Sequence, residues 1–205
     1  MTDIAVQNDA NGALAAAIRA VLDHRSVVLI GMMGVGKSSI GRRLAARLAI
    51  PFVDADTEIE KAADMSISDI FARNGEAYFR GGEARVIARL LESGPQVLAT
   101  GGGAFMNGGT RAAIKAKGVS IWLSAAYEVL LRRISKRKNE RPMLHTDNPD
   151  ETLRHLLEVR EPTYALADLT VQSREGPHDA IVAEIVTALA TYLHVPMPLE
   201  GKDGA

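Results

Sequence analysis

This sequence predicts an α/β fold built on a parallel sheet, and three observations carry the prediction. Short apolar runs alternate with segments of helical periodicity along the 205-residue chain, which is the pattern of successive βαβ units. Residues 31–38, Gly-Met-Met-Gly-Val-Gly-Lys-Ser, match the phosphate-loop pattern G-x-x-x-x-G-K-[ST] at every fixed position. That match lies between a strand-like run and a helix-like segment, where such a loop belongs.

The elements follow in order. Residues 13–22 are alanine-rich and predict a helix ahead of the first strand. Val27-Val28-Leu29-Ile30 is continuously apolar, as a strand covered on both faces must be. Residues 39–48 carry apolar side chains at helical spacing. Phe52-Val53-Asp54 predicts the second strand. Ser66-Ile67-Ser68-Asp69 has the form of a capping box, opening a short helix that should stop near Asn74-Gly75. Further strands are expected at 97–100, 119–123 and 169–171, and Asp179 is the candidate cap of a closing helix over 180–193. The expected organisation is an N-terminal helical extension (1–25), a single domain (26–195) and a flexible tail (196–205).

Composition narrows the class. The chain is long enough to bury one full core. A net charge of −1 argues against a general nucleic-acid or membrane-surface role. The absence of cysteine excludes disulfides, a thiol nucleophile and cysteine-ligated metals. No apolar run approaches the ~18 residues of a membrane span. The N-terminal residues lack the basic region and apolar stretch of a signal peptide. The expectation is a cytoplasmic protein without a nucleic-acid or membrane partner.

The phosphate loop dictates its own chemistry. Glycines let backbone N–H groups turn inward onto phosphate oxygens, and the helix that follows adds its positive end. Gly34, Val35, Gly36, Lys37, Ser38 and Ser39 would cradle a nucleoside triphosphate. Lys37 would reach the outer phosphates, and the Ser38 hydroxyl would ligate Mg²⁺. The bland alternative, a glycine-rich turn before a surface helix, leaves the strand–loop–helix context as coincidence. No Asn-Lys-x-Asp motif for guanine occurs, and no apolar strand ends in the Asp-Glu pair of mechanical ATPases. A small phosphotransferase remains, with its acceptor site expected in loops at the carboxyl ends of the strands.

Three features are candidates for that acceptor site. Asp54 and Asp56 are two residues apart, so in extended backbone both would face one crevice. There Asp54 would hold the metal and Asp56 would bind and deprotonate a substrate hydroxyl. Their bland reading is a turn or helix cap. Gly101-Gly102-Gly103 follows an apolar strand and predicts close approach of some group to bare backbone, against the alternative of a flexible turn. Arg80 and Arg160 would together grip a carboxylate, although each alone reads as a solvated helix charge.

Taken together, these residues resemble the shikimate kinases. The pieces occur in the family's order: Gly31 to Ser38, Asp54-Ala55-Asp56, Phe79-Arg80 with Glu83, Gly101 to Gly103, Arg141-Pro142-Met143-Leu144, and Arg160-Glu161-Pro162-Thr163-Tyr164. The resemblance implies a P-loop NTPase of nucleoside-monophosphate-kinase-like fold, with a five-stranded parallel sheet flanked by helices and a mobile lid at about 136–148. It implies transfer of the ATP γ-phosphate to the 3-hydroxyl of shikimate, with Mg²⁺, by a monomer. Asp56 would be the base and a ligand of the ring hydroxyls. Arg80 and Arg160 would hold the carboxylate beside the Gly101–Gly103 backbone. Lys37 and Arg141 would flank the phosphates, and Arg133 would pack on adenine. Glu83 would orient Arg80 through a salt bridge. The basic stretch Arg132 to Arg141 then reads as lid; a nucleic-acid patch would have aromatic residues interleaved. The alternatives are another small-molecule kinase, such as a gluconate kinase, and a non-catalytic ATP-binding switch.

Overall fold

The computed structural model describes residues 2–135 and 148–196. Helix α1 (Thr2–Leu22) precedes strand β1 (Ser26–Ile30), and α2 (Lys37–Leu48) follows the phosphate loop. Then come β2 (Phe52–Asp54), α3 (Ala55–Ala63) and α4 (Ile67–Leu91). Strand β3 (Val97–Ala99) leads through a 3₁₀ turn (Ala104–Met106) into α5 (Gly108–Lys117). The chain closes with β4 (Gly118–Ser124), α6 (Tyr127–Ser135), α7 (Pro149–Tyr164), β5 (Leu169–Gln172) and α8 (His178–Tyr192). The five strands form one sheet in the order β2-β3-β1-β4-β5, and every pairing is parallel.

The continuous apolar run of β1 is explained by its place at the centre of the sheet. Successive side chains point to opposite faces, so Val27 and Leu29 enter one core cluster while Val28 and Ile30 enter the other. The first cluster fills the space under α1, α2 and α8, with Ile18, Leu44, Ile185 and Leu189 completely buried. The second lies under α4 and α5, around Ile87, Leu98 and Ile114. Both layers hold the carboxyl ends of β1, β2 and β3 side by side, and the loops that carry the chemistry leave from there.

Helix α1 begins at Thr2, well before the alanine-rich stretch, and its C-terminal half is part of the core. Leu14, Ala15, Ile18 and Leu22 are buried in the cluster shared with α2 and α8. Ile18→Ala should lower stability by about 2–5 kcal/mol, a core truncation in a fully buried site. Thermal unfolding would measure this, with activity per folded molecule unchanged because Ile18 does not line the cavity described below.

Two local expectations need correction, while a third holds: the helix that opens at Ile67 stops at Gly75 (φ 81°, ψ 172°), where the chain kinks into a second helical stretch that runs on to Leu91. Glycine reaches that positive φ without steric cost. The kink matters, because eight residues of straight helix span about 12 Å, yet the Phe71 and Phe79 rings meet at 4.6 Å. Helix α8 starts at His178 after Pro177, so Asp179 lies in its first turn, where its carboxylate faces Arg43 at 3.7 Å. Asp56 is helical, with consequences taken up below. The expected lid and Arg141 fall in 136–147, outside the described residues. No helix among the described residues is long and apolar enough to cross a membrane.

Candidate active site

The loop after β1 has the backbone its sequence demands. Gly31, Gly34 and Gly36 all have positive φ (130°, 82° and 103°), and Gly36 caps α2 without a side-chain bond. At Gly31 space excludes a side chain as well, since a Cβ there would stand 2.4 Å from the Leu123 carbonyl oxygen. The Lys37 ammonium donates to the carbonyls of Gly31 (2.8 Å) and Met32 (3.0 Å), which holds it folded back over the loop. The N-terminus of α2 therefore presents a lysine, turned backbone and the hydroxyls of Ser38 and Ser39 to one space.

Asp54 ends β2 and caps α3. Its Oδ1 accepts from the Asp56 backbone N–H at 3.1 Å, and its Oδ2 accepts from the Ser38 hydroxyl at 2.7 Å. The period-two argument thus reached the right pair by the wrong geometry. Asp56 is not on an extended segment but in the first turn of α3, aimed by the cap that Asp54 supplies. The bland and functional readings of this pair coexist, and both carboxylates line the cavity.

The three glycines after β3 are explained by what lies against each of them. A Cβ on Gly101 would meet Glu83 Oε1 at 2.7 Å and Asp56 Oδ1 at 3.0 Å. On Gly102 it would meet Arg160 Nη1 at 3.4 Å, and on Gly103 the Arg80 guanidinium nitrogens at 2.5 Å. The expected close approach is therefore made by the protein's own charged side chains. Glycine is required there because four such groups from α3, α4 and α7 converge on one strip of backbone.

Charge within the cluster is balanced tightly. Arg80 donates from Nη1 to Glu83 Oε2 (2.8 Å) and from Nε and Nη2 to Glu76 Oε1 (3.2 and 3.1 Å). Glu83 is buried at 2% exposure, and its Oε1 has no hydrogen-bond partner among the described residues. Burial pushes its carboxyl pKa up, Arg80 pulls it down, and Asp56 adds to the upward push. Arg160 is also buried, beside Met32 Sδ at 3.9 Å. The two arginines, 80 residues apart in sequence, meet across the glycine strip.

Arg133 bridges three segments. It donates to the Val35 carbonyl of the phosphate loop (3.1 Å), the Ser173 hydroxyl (3.0 Å) and the Arg174 carbonyl (2.9 Å). It lines the same cavity, whose volume is about 840 Å³, and His178 lines it too. Burial lowers the His178 pKa, helped by Arg43 and Arg133.

Sequence reasoning missed Ile67 and Phe71 in the apolar wall of the cavity, together with His178, and named Phe79 only as part of a motif, with no role. Ile67 and Phe71 are one helical turn apart, a pattern that reads as core. Only the neighbour Arg80 gave Phe79 any functional signal.

A family model for shikimate kinase matches residues 33–190. A shikimate kinase of Bradyrhizobium diazoefficiens is 61% identical over 176 residues, 86% of this chain and 84% of that protein. One from Rhodopseudomonas palustris is 56% identical over 183 residues, 89% of this chain and 90% of that protein. The solved structure of shikimate kinase from Acinetobacter baumannii in complex with shikimate superposes with a TM-score of 0.79 at 35% identity, covering 85% of this chain and 97% of that one.

Proposed function

Because the chain belongs to the shikimate kinase family, and so moves a phosphoryl group from ATP to shikimate, we propose how its own residues divide that work. The carrying observation is the cluster of Asp56, Arg80 and Arg160 on the Gly101–Gly103 backbone, in the same cavity as Lys37. Arg80 and Arg160 take the substrate carboxylate, which fixes the ring over the glycine strip. Asp56 then faces the ring hydroxyls, accepts a hydrogen bond from the 3-hydroxyl and takes its proton as the oxygen attacks the γ-phosphorus. The apolar wall of Phe71, Phe79 and Ile67 covers the ring and keeps water from competing for the phosphoryl group.

On the nucleotide side, the phosphate loop and Lys37 hold the β- and γ-phosphates, and Arg133 and His178 border the rest of the cavity. Arg141 is assigned the opposite side of the phosphates on sequence grounds alone. Ser38 and Asp54 fit a Mg²⁺ site: they are hard oxygen donors placed together beside the phosphate loop, and Mg²⁺ takes its remaining ligands from phosphates and water. When bound, the ion would neutralise phosphate charge. Asp54→Asn retains an acceptor for the α3 cap but removes the carboxylate charge. It should raise the Mg²⁺ concentration for half-maximal activity about tenfold, as measured by Mg²⁺ titration at saturating ATP and shikimate. An unchanged requirement would remove Asp54 from the metal site.

Arg80→Ala tests the carboxylate assignment. Loss of a charge-assisted contact present in both ground and transition states should raise the KM for shikimate about ten- to a hundredfold, with a smaller effect on kcat. The KM for ATP should hold. The same change leaves Glu83 buried without its ion-pair partner, so the melting temperature should fall as well. An unchanged KM for shikimate would make Arg80 a structural partner of Glu83 alone.

A further inference from the structure

Tyr164 is a buried polar side chain for which the mechanism above has no task. It closes the segment Arg160 to Tyr164 at the end of α7 and is 1% exposed. Its hydroxyl donates to the Gly102 carbonyl oxygen, the middle residue of the glycine strip. Arg160 lies four residues earlier on the same helical face, and its Nη1 packs against the same glycine, 3.4 Å from where a Gly102 Cβ would stand. The direction of the Tyr164 bond is forced: a carbonyl only accepts, so the hydroxyl gives its single proton to Gly102. Burial pushes the Tyr164 pKa up, which keeps that proton in place. Trp122 fixes the ring, with centroids 6.0 Å apart.

We propose that Tyr164 is a positioning residue for substrate recognition: by fixing the Gly102 carbonyl to α7, it holds the backbone against which the Arg160 guanidinium packs and so sets where that guanidinium meets the acceptor's carboxylate. The proposal rests on the reading of Arg160 as a carboxylate anchor. A phenol at this point keeps the glycine strip at a set distance from α7, which limits the orientations open to the long, rotamer-rich Arg160 side chain packed against Gly102. Arg160 thereby meets the carboxylate already oriented, which lowers the ordering cost of binding.

The test is steady-state kinetics of Tyr164→Phe with two acceptors, shikimate and its uncharged methyl ester. The expected result is an increase of about five- to tenfold in the KM for shikimate, with the preference for acid over ester falling by a similar factor. The KM for ATP should stay within about twofold. Trp122→Phe, which loosens the ring but keeps the hydroxyl, should leave the acid preference intact. Equal losses for acid and ester would overturn the proposal, as would no change, or a parallel loss of ATP binding with a lower melting temperature. Arg160→Ala run beside it separates the two ideas: if it retains the wild-type acid preference, the anchor reading itself fails. Should Tyr164→Phe not fold, 3,5-difluorotyrosine at 164 keeps the ring and hydroxyl but titrates at lower pH. Its acid preference should then fall as pH rises through the lowered phenol pKa, and a profile as flat as the wild type's would overturn the proposal.

Discussion

Asp56→Asn should cut kcat by about two to four orders of magnitude while leaving the KM for ATP near its original value. The substitution is isosteric, and the backbone N–H of residue 56 still bonds to Asp54 Oδ1, so α3 should start as before. What disappears is the group proposed to take the proton from the attacking hydroxyl. The negative charge that Asp56 shares with Glu83 around Gly101 also falls, which lets the Glu83 carboxyl titrate lower. The fold should therefore be no less stable. A coupled assay of ADP release with shikimate, together with a melting curve, checks both halves. A near-normal rate would mean that water or another group takes the proton and would remove Asp56 from the chemistry.

Lys37→Ala should be comparably severe. The ammonium is the charge proposed to face the outer phosphates, and a preorganised cation aimed at developing charge is worth about two to three orders of magnitude in kcat. The structure adds a second reason. Lys37 bonds to the carbonyls of Gly31 and Met32, so it also braces the phosphate loop itself. Both kcat and the KM for ATP should therefore suffer, whereas shikimate affinity measured without nucleotide should persist, since Arg80 and Arg160 stand on α4 and α7. Loss of shikimate affinity as well would point to collapse of the whole cavity.

The two variants probe the two levels at which this site could be read. The phosphate loop was fully legible because its chemistry is local: eight consecutive residues supply the turn, the lysine and the hydroxyl. The strands were legible for a similar reason, since burial on both faces of a central parallel strand leaves a continuous apolar run. Asp54 and Asp56 were found, but their geometry was not. A carboxylate that begins a helix and one that ends a strand look alike in sequence, and the choice fell to the hydrogen bonds with Ser38 and the α3 backbone.

The charged cluster lies beyond local reasoning. Arg80, Glu83 and Arg160 sit on helices, where the commonest fate of a charge is solvation. The burial of Glu83 and Arg160, and the half-burial of Arg80, follow from the packing of α4 and α7 against the strip after β3. The kink at Gly75, which folds Phe71 back onto Phe79, belongs to the same category. A glycine inside a helical pattern signals a weak point but not the direction in which the chain turns.

By itself, then, the sequence determined the α/β class, the strand sequence, the nucleotide loop and, through resemblance, the family. Each of these is encoded in neighbouring residues or in a fixed order of motifs along the chain. Only the tertiary structure decided that the three glycines are the floor on which Asp56, Glu83, Arg160 and Arg80 rest, and that Arg133 clasps the phosphate loop to Ser173. Those contacts join residues from 18 to 98 positions apart. Which of them form is settled by how the helices pack on the sheet, because packing alone decides which charges leave water and which partners they must then find.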